Sequence, residues 1–183
     1  MKKVLGVVGS PRKKGNTNVL VARVLEGAHE AGAQTETVFL NEARIEECDG
    51  CHACWKTGTC KRKDDMNDLY PKIIGSDVIV FGTPVYWYGP TALMKGFIDR
   101  FVYFNCPENR TKIRCKRAVL AVPFEENDPD TALPLVEFFN KSLGYLEMSI
   151  VGRLIVPGVT VRGEIAKKTD CMREAYELGK GLV

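Results

Sequence analysis

Lys3-Val4-Leu5-Gly6-Val7-Val8 runs directly into Gly9-Ser10-Pro11-Arg12-Lys13-Lys14-Gly15-Asn16-Thr17, and the reading of this stretch decides the fold class. The first six residues form a short apolar run, the pattern of a strand buried on both faces of a parallel sheet. After the polar turn, Val19, Leu20, Ala22, Val24 and Leu25 recur at helical spacing, with Asn16 or Thr17 as the N-cap and Ala31-Gly32 as the stop. Strand, polar loop and helix are the front half of a βαβ unit. Backbone amides at a helix start attract anions. The hydroxyls of Ser10 and Thr17, the Asn16 amide and the Arg12 guanidinium add donors that suit a phosphate. Neither GxGxxG nor GxxxxGK[ST] is present, which argues against a dinucleotide fingerprint or a P-loop.

The same alternation continues down the chain. Thr35–Leu40, Asp77–Phe81, Ala118–Val122 and Tyr145–Val156 read as further strands. Helices are expected from Asp64 or Asp65 to about Ile74, over Thr91–Phe104, over Thr131–Leu143 and over Glu164–Leu182. Residues 41–63 show no stable period and read as a long loop. Five strands alternating with helices predict right-handed crossovers, hence an α/β three-layer sandwich around a five-stranded, doubly wound parallel sheet. Ligands of such sheets bind beyond the carboxyl ends of the strands.

One of those ends is unusual. Gly82-Thr83-Pro84-Val85-Tyr86-Trp87-Tyr88-Gly89-Pro90 carries three consecutive aromatics where a polar loop is expected. A flat ring resting on this loop explains it; cover for the core or a subunit contact is the alternative. A phosphate loop and a ring loop side by side point to a mononucleotide such as FMN.

The cysteines are the second anomaly. Seven occur, at 48, 51, 54, 60, 106, 115 and 171, and four of them crowd into Cys48-x2-Cys51-x2-Cys54-x5-Cys60. An odd count without an export signal argues against a disulfide framework. A compact C-x2-C-x2-C run suits a [4Fe–4S] cluster better than zinc, which prefers paired knuckles from separate segments. Unliganded structural thiols, zinc or a redox disulfide are the alternatives. His52 reads as an exposed loop residue, and Trp55 either shields the thiols or anchors their loop.

Composition bounds the rest. With 183 residues, 45% apolar and 27% charged, the chain reads as one domain over 1–183, with a cysteine loop at about 41–63. A net charge of +3 is too small for a general nucleic-acid or membrane-surface binder. No apolar run approaches the roughly 20 residues of a membrane span, and Met1-Lys2-Lys3 opens no signal peptide, so a cytoplasmic protein is expected. With only His29 and His52 present, hydrolysis through a nucleophile–His–carboxylate triad is poorly supported. A receiver-like regulatory module needs an acidic strand end, whereas these strands end at Gly9 and Gly82. The basic runs Lys61-Arg62-Lys63 and Arg110–Arg117 read as solvated charge, with steering of anionic partners as the alternative. Asp99-Arg100 reads as a structural ion pair or a subunit contact.

Gly9-Ser10-Pro11-Arg12, Cys51-His52-Ala53-Cys54, Gly58-Thr59-Cys60, Asp64-Asp65-Met66 and Gly82-Thr83-Pro84-Val85-Tyr86-Trp87 resemble the NADPH-dependent FMN reductase family of flavodoxin-like proteins, and within it the iron–sulfur flavoproteins. So do Leu93, Lys95, Phe97, Ile98, Asp99 and Arg100. The resemblance is closest over residues 1–104. It implies that Ser10, Arg12, Asn16 and Thr17 hold the FMN phosphate, that Pro84, Val85, Tyr86 and Trp87 hold the isoalloxazine, and that Cys48, Cys51, Cys54 and Cys60 ligate a cluster. It further implies electron exchange with NAD(P)H or a ferredoxin-like carrier, a small-molecule acceptor, and a homodimer or homotetramer. A cluster-free NAD(P)H-dependent FMN or quinone reductase is the alternative. Val122-Pro123-Phe124-Glu125-Glu126-Asn127-Asp128 departs from the small, glycine-rich third flavin loop of many relatives.

Overall fold

The computed structural model describes residues 1–183. Strands β1 (Lys3–Val8), β2 (Gln34–Phe39), β3 (Val78–Gly82), β4 (Arg117–Pro123) and β5 (Ser149–Val156) form one sheet in the order β2-β1-β3-β4-β5. Every neighbouring pair is parallel. This is the flavodoxin-like strand order, whose direction of winding reverses between β1 and β3.

Alternation along the strands supplies both faces. Val4 and Val8, Val78 and Val80, and Val119 and Ala121 point to a core built with α1 (Asn16–Glu30) and α7 (Thr169–Lys180). Leu5 and Val7, Ile79 and Phe81, and Leu120 and Val122 point to a larger core under α3 (Met66–Gly75), α4 (Ala92–Asp99) and α6 (Leu133–Tyr145). Helices α1 and α7 cross at two glycines: a Cβ on Gly179 would stand 2.0 Å from the Val24 carbonyl oxygen, and one on Gly27 would stand 2.0 Å from that of Tyr176. No helix is long and apolar enough to cross a membrane.

Several boundaries depart from expectation. Gly15 is the N-cap of α1 and has no side chain to cap the helix with, while Asn16, expected as the cap, is the first helical residue and is turned to other partners. The helix expected over Thr91–Phe104 is α for Ala92–Asp99 and 3-10 for Arg100–Asn105. A four-residue helix, α5 (Pro107–Arg110), follows it. Tyr145 ends α6 instead of opening a strand. The long loop contains one short helix, α2 (Ala53–Thr57), held between left-handed residues His52 and Gly58.

Candidate functional site

Four loops leave the carboxyl edge of the sheet and enclose a cleft of about 90 Å³. Ser10, Arg12, Gly15, Asn16 and Thr17 come from the loop after β1, and Pro84, Val85 and Tyr86 from the loop after β3. Pro123, Phe124 and Glu125 follow β4, and Val159, Thr160 and Arg162 follow β5. The cleft lies at the switch point of strand order. Its location follows from topology, but its narrowness depends on Gly82, where a Cβ would meet Val21 at 2.4 Å and Thr17 at 3.0 Å. Any larger residue would push α1 off the end of β3.

The electrostatics favour an anion. Thr17 is buried at the start of α1, and its hydroxyl takes no partner from the chain. The Ser10 hydroxyl accepts from the Arg12 amide at 3.2 Å, which curls the loop toward the helix end. Arg12 and Arg162 both line the cleft, and neither has a carboxylate within ion-pair distance among the salt bridges of the chain. Arg12 Nη1 makes one long bond, 3.4 Å, to the Thr160 carbonyl.

Asn16 has a different task from the one its sequence position suggests. Its Nδ2 donates to the carbonyls of Val161 (3.0 Å) and Val159 (3.4 Å), and its Oδ1 accepts from the Ile165 amide at 3.2 Å. It therefore straps the segment after β5 against the start of α1. That segment, with Arg162, is the wall the sequence reading missed; its signal is a basic residue just beyond the last strand, on the edge where ligands bind. Thr91 was missed as well. Its hydroxyl donates to the Gly9 carbonyl at 2.5 Å and accepts from the Met94 amide, so it caps α4 and locks the end of β1.

The aromatic loop splits in two. Tyr86 and Gly89 exchange backbone bonds of 2.8 and 3.0 Å around a two-residue tip, where Trp87 and Tyr88 adopt φ of +49° and +63°. Pro84, Val85 and Tyr86 face the cleft, whereas Trp87 is 96% exposed and borders an open groove with Tyr86, Tyr88, Glu125 and Glu126. The atypical loop after β4 is tied in through Phe124, which is buried, and through the bonds of Val159 to Phe124 and Gly158 to Glu126.

The four clustered cysteines come together elsewhere. Cys48, Cys51, Cys54 and Cys60 line one small pocket of about 20 Å³ with Tyr70, Arg100, Val102 and Tyr103. This pocket shares no residue with the cleft. As placed, no three His, Cys, Asp or Glu groups are close enough to hold a single metal ion. The loop is held from both sides. Asp49 pairs with Lys61 at 3.1 Å, Glu46 pairs with Arg62 at 2.7 Å, and Trp55 Nε1 donates to the Val102 carbonyl at 2.8 Å. Trp55 is thus an anchor, with His52 edge-on to its ring. Burial pushes the Cys54 thiol up, and the neighbouring Cys60 and Cys48 push it further, so thiolates gathered here call for positive charge.

Part of that charge is at hand. Arg100 and Asp64 are a fully buried ion pair, with side chains 1% and 0% exposed. Arg100 Nη2 also donates to Cys60 Sγ at 3.2 Å. The pair Asp99-Arg100 expected from sequence does not form; Asp99 takes Lys95 at 2.6 Å instead. The second basic run is largely committed too. Arg110 bonds the Tyr145 carbonyl, Lys116 those of Ile74 and Ser76, and Arg117 that of Leu182.

The chain matches the NADPH-dependent FMN reductase family over residues 2–127. It is 37% identical over 103 residues to an iron-sulfur flavoprotein of Archaeoglobus fulgidus, covering 56% of this chain and 47% of that one. A second iron-sulfur flavoprotein of that organism is 31% identical over 163 residues, covering 89% of this chain and 80% of the relative. The chain spans about half the length of the first curated relatives it matches. Among solved structures, the NAD(P)H:quinone oxidoreductase from Methanothermobacter marburgensis superposes with a TM-score of 0.75 at 19% identity, covering 100% of this chain and 99% of that one. At that identity the likeness concerns the fold alone.

Proposed function

The chain belongs to the NADPH-dependent FMN reductase family, and from that footing we propose that it is an FMN-dependent oxidoreductase. Electrons come from NAD(P)H or a ferredoxin-like carrier and pass to a small-molecule acceptor, with a [4Fe–4S] cluster held by Cys48, Cys51, Cys54 and Cys60. The observation that carries the FMN reading is the cleft at the β1/β3 switch point, where two guanidiniums without carboxylate partners and the free Thr17 hydroxyl surround the start of α1. Ser10, Arg12 and Thr17 would bind the phosphate, with Asn16 bracing the loop behind them. Pro84, Val85 and Tyr86 would seat the ring and exclude water from one side, leaving Trp87 at the rim.

When bound, FMN supplies the exchange between two-electron hydride chemistry and one-electron carriers. The chain's own task is position and electrostatics, and Glu125 is the one carboxylate on the lining of the cleft. For the cluster, the donor chemistry fits: four thiols surround one pocket, and a cubane spaces its ligands more widely than a single ion does. The names of the relatives agree. The absence of a close three-ligand group and the size of the pocket favour the second reading, a cluster-free NAD(P)H-dependent FMN or quinone reductase. We propose a homodimer or homotetramer as well, with the cleft of about 440 Å³ lined in part by Ile98, Phe101, Val102 and Phe138 as the candidate contact face.

The two readings separate on iron and sulfide content after anaerobic reconstitution. The cluster reading expects stoichiometric iron in the parent protein and little in Cys54→Ser, with FMN unchanged in both. It also expects reduced ferredoxin to reduce the flavin faster in the parent than after replacement of all four cysteines, while direct reduction by NAD(P)H changes little. A parent protein that binds FMN but no iron leaves the cluster-free reductase.

A further inference from the structure

The Asp64–Arg100 pair has a feature that packing does not account for. It is fully buried, between α3 and the 3-10 turn after α4, beside the stacked rings of Tyr70 and Tyr103. Buried ion pairs are weak contributors to stability, and apolar side chains of similar volume commonly replace them without loss. An apolar pair could not aim a donor at sulfur. Here Nη1 is used by Asp64 and by the Glu46 carbonyl at 2.8 Å, while Nη2 reaches Asp64 Oδ1 and Cys60 Sγ, both at 3.2 Å. Asp64 is itself fixed by the amides of Glu46 (2.9 Å) and Met66 (3.2 Å), and Tyr70 donates its hydroxyl to the Arg100 carbonyl at 3.1 Å. Both terminal nitrogens of the guanidinium are engaged, with one N–H directed at a thiol of the cysteine loop.

We propose that Arg100, oriented by Asp64, is the positioning residue that sets the reduction potential of the cysteine-loop cluster through its hydrogen bond and charge at Cys60. The assignment rests on the cluster reading above. Adding one electron makes a thiolate-bound cluster one charge more negative. A fixed cation with a hydrogen bond to a ligand sulfur favours that change and raises the potential. Asp64 opposes it, so the two members of the pair act with opposite signs.

The test uses the full chain, reconstituted with FMN, iron and sulfide, and reads the cluster midpoint by dithionite titration followed by electron paramagnetic resonance. Retained FMN, bound at a separate site, reports folding. Arg100→Gln should disfavour reduction at least tenfold, about 59 mV for a one-electron couple. Asp64→Asn should shift the midpoint the opposite way, and the double variant should fall between them. A structural role alone predicts cluster loss or same-sign shifts in both single variants, and either overturns the proposal. Where Arg100→Gln does not retain FMN, Asp64→Asn is compared with the double variant, so that Arg100 is removed in a background already lacking the Asp64 charge. A lower midpoint in the double variant upholds the assignment, and equal midpoints overturn it. Iron-replete variants with parental midpoints overturn the role of Arg100 alone. A parent protein that takes up no iron and sulfide overturns the cluster reading and this assignment with it.

Discussion

Replacing Asn16 by Ala distinguishes a strap from a phosphate ligand. The side chain makes three bonds to the segment after β5: to Val161 at 3.0 Å, to Ile165 at 3.2 Å and to Val159 at 3.4 Å. Each sound bond contributes about 1 kcal/mol net, and the amide of Ile165, a buried residue, would lose its acceptor at a cost of about 1–3 kcal/mol. Discounting the longest bond, Asn16→Ala should lower stability by about 2–4 kcal/mol. For a chain of this size that is a fall in Tm of roughly 5–15 °C. The loosened wall should weaken FMN and riboflavin equally, because the strap acts on the shape of the cleft and not on the phosphate. Thermal unfolding of the flavin-free protein gives the first quantity, and flavin fluorescence quenching gives the second. An unchanged Tm with a selective loss of FMN over riboflavin would refute the strap and return Asn16 to the phosphate.

Arg12→Ala should show the opposite pattern, weakening FMN by about 1.5–3 kcal/mol, the worth of a charge-assisted bond, while riboflavin titrates as in the parent; equal loss for both flavins removes Arg12 from the phosphate site. Gly179→Ala forces a Cβ against the Val24 carbonyl and should cost about 3 kcal/mol in urea denaturation with the β1-loop bonds intact; a neutral outcome means that the α1–α7 crossing is looser than described. Acid should reveal the buried pair. Burial alone would raise the Asp64 carboxyl, but Arg100 and the amides of Glu46 and Met66 hold it below its usual range. A carboxylate depressed in the folded state contributes its stability in full above about pH 4 and loses it as pH falls through the lowered value. Urea midpoints followed into acid should therefore fall less steeply in Asp64→Asn/Arg100→Gln than in the parent, and parallel curves would show that Asp64 does not titrate with unfolding.

Much of the molecule is local in origin and therefore legible. The bounds of β1 follow from an unbroken apolar run ending at glycine, and the ring-bearing loop and cysteine run are visible because aromatics and thiols are rare in such loops. Given the rule that parallel strands open their sites at the carboxyl edge, the sequence alone places Ser10, Arg12 and Thr17 beside Pro84, Val85 and Tyr86. Boundaries failed where a helix changes character without a composition signal. Arg100 begins a 3-10 turn and sends its guanidinium inward to Asp64, and no periodicity records a partner 36 residues away.

The remaining features depend on residues distant in sequence meeting in space. Asn16 is a plausible phosphate donor from its position at a helix start; only the return of the chain after β5 presents the carbonyls of Val159 and Val161 that claim its amide. Trp87 belongs to the ring loop by composition, yet a two-residue tip in the left-handed region turns it to solvent and leaves Tyr86 on the cleft. The basic run at Arg110–Arg117 looks like free charge until packing supplies carbonyls for Arg110, Lys116 and Arg117. Hydrophobic period and turn chemistry act over a few residues, so the sequence reports strands, helices and the edge where a ligand binds. Hydrogen-bond partners and ion pairs are chosen among groups that the folded topology brings within about 3 Å of one another, and that choice divides the flavin-cleft side chains into ligands and braces.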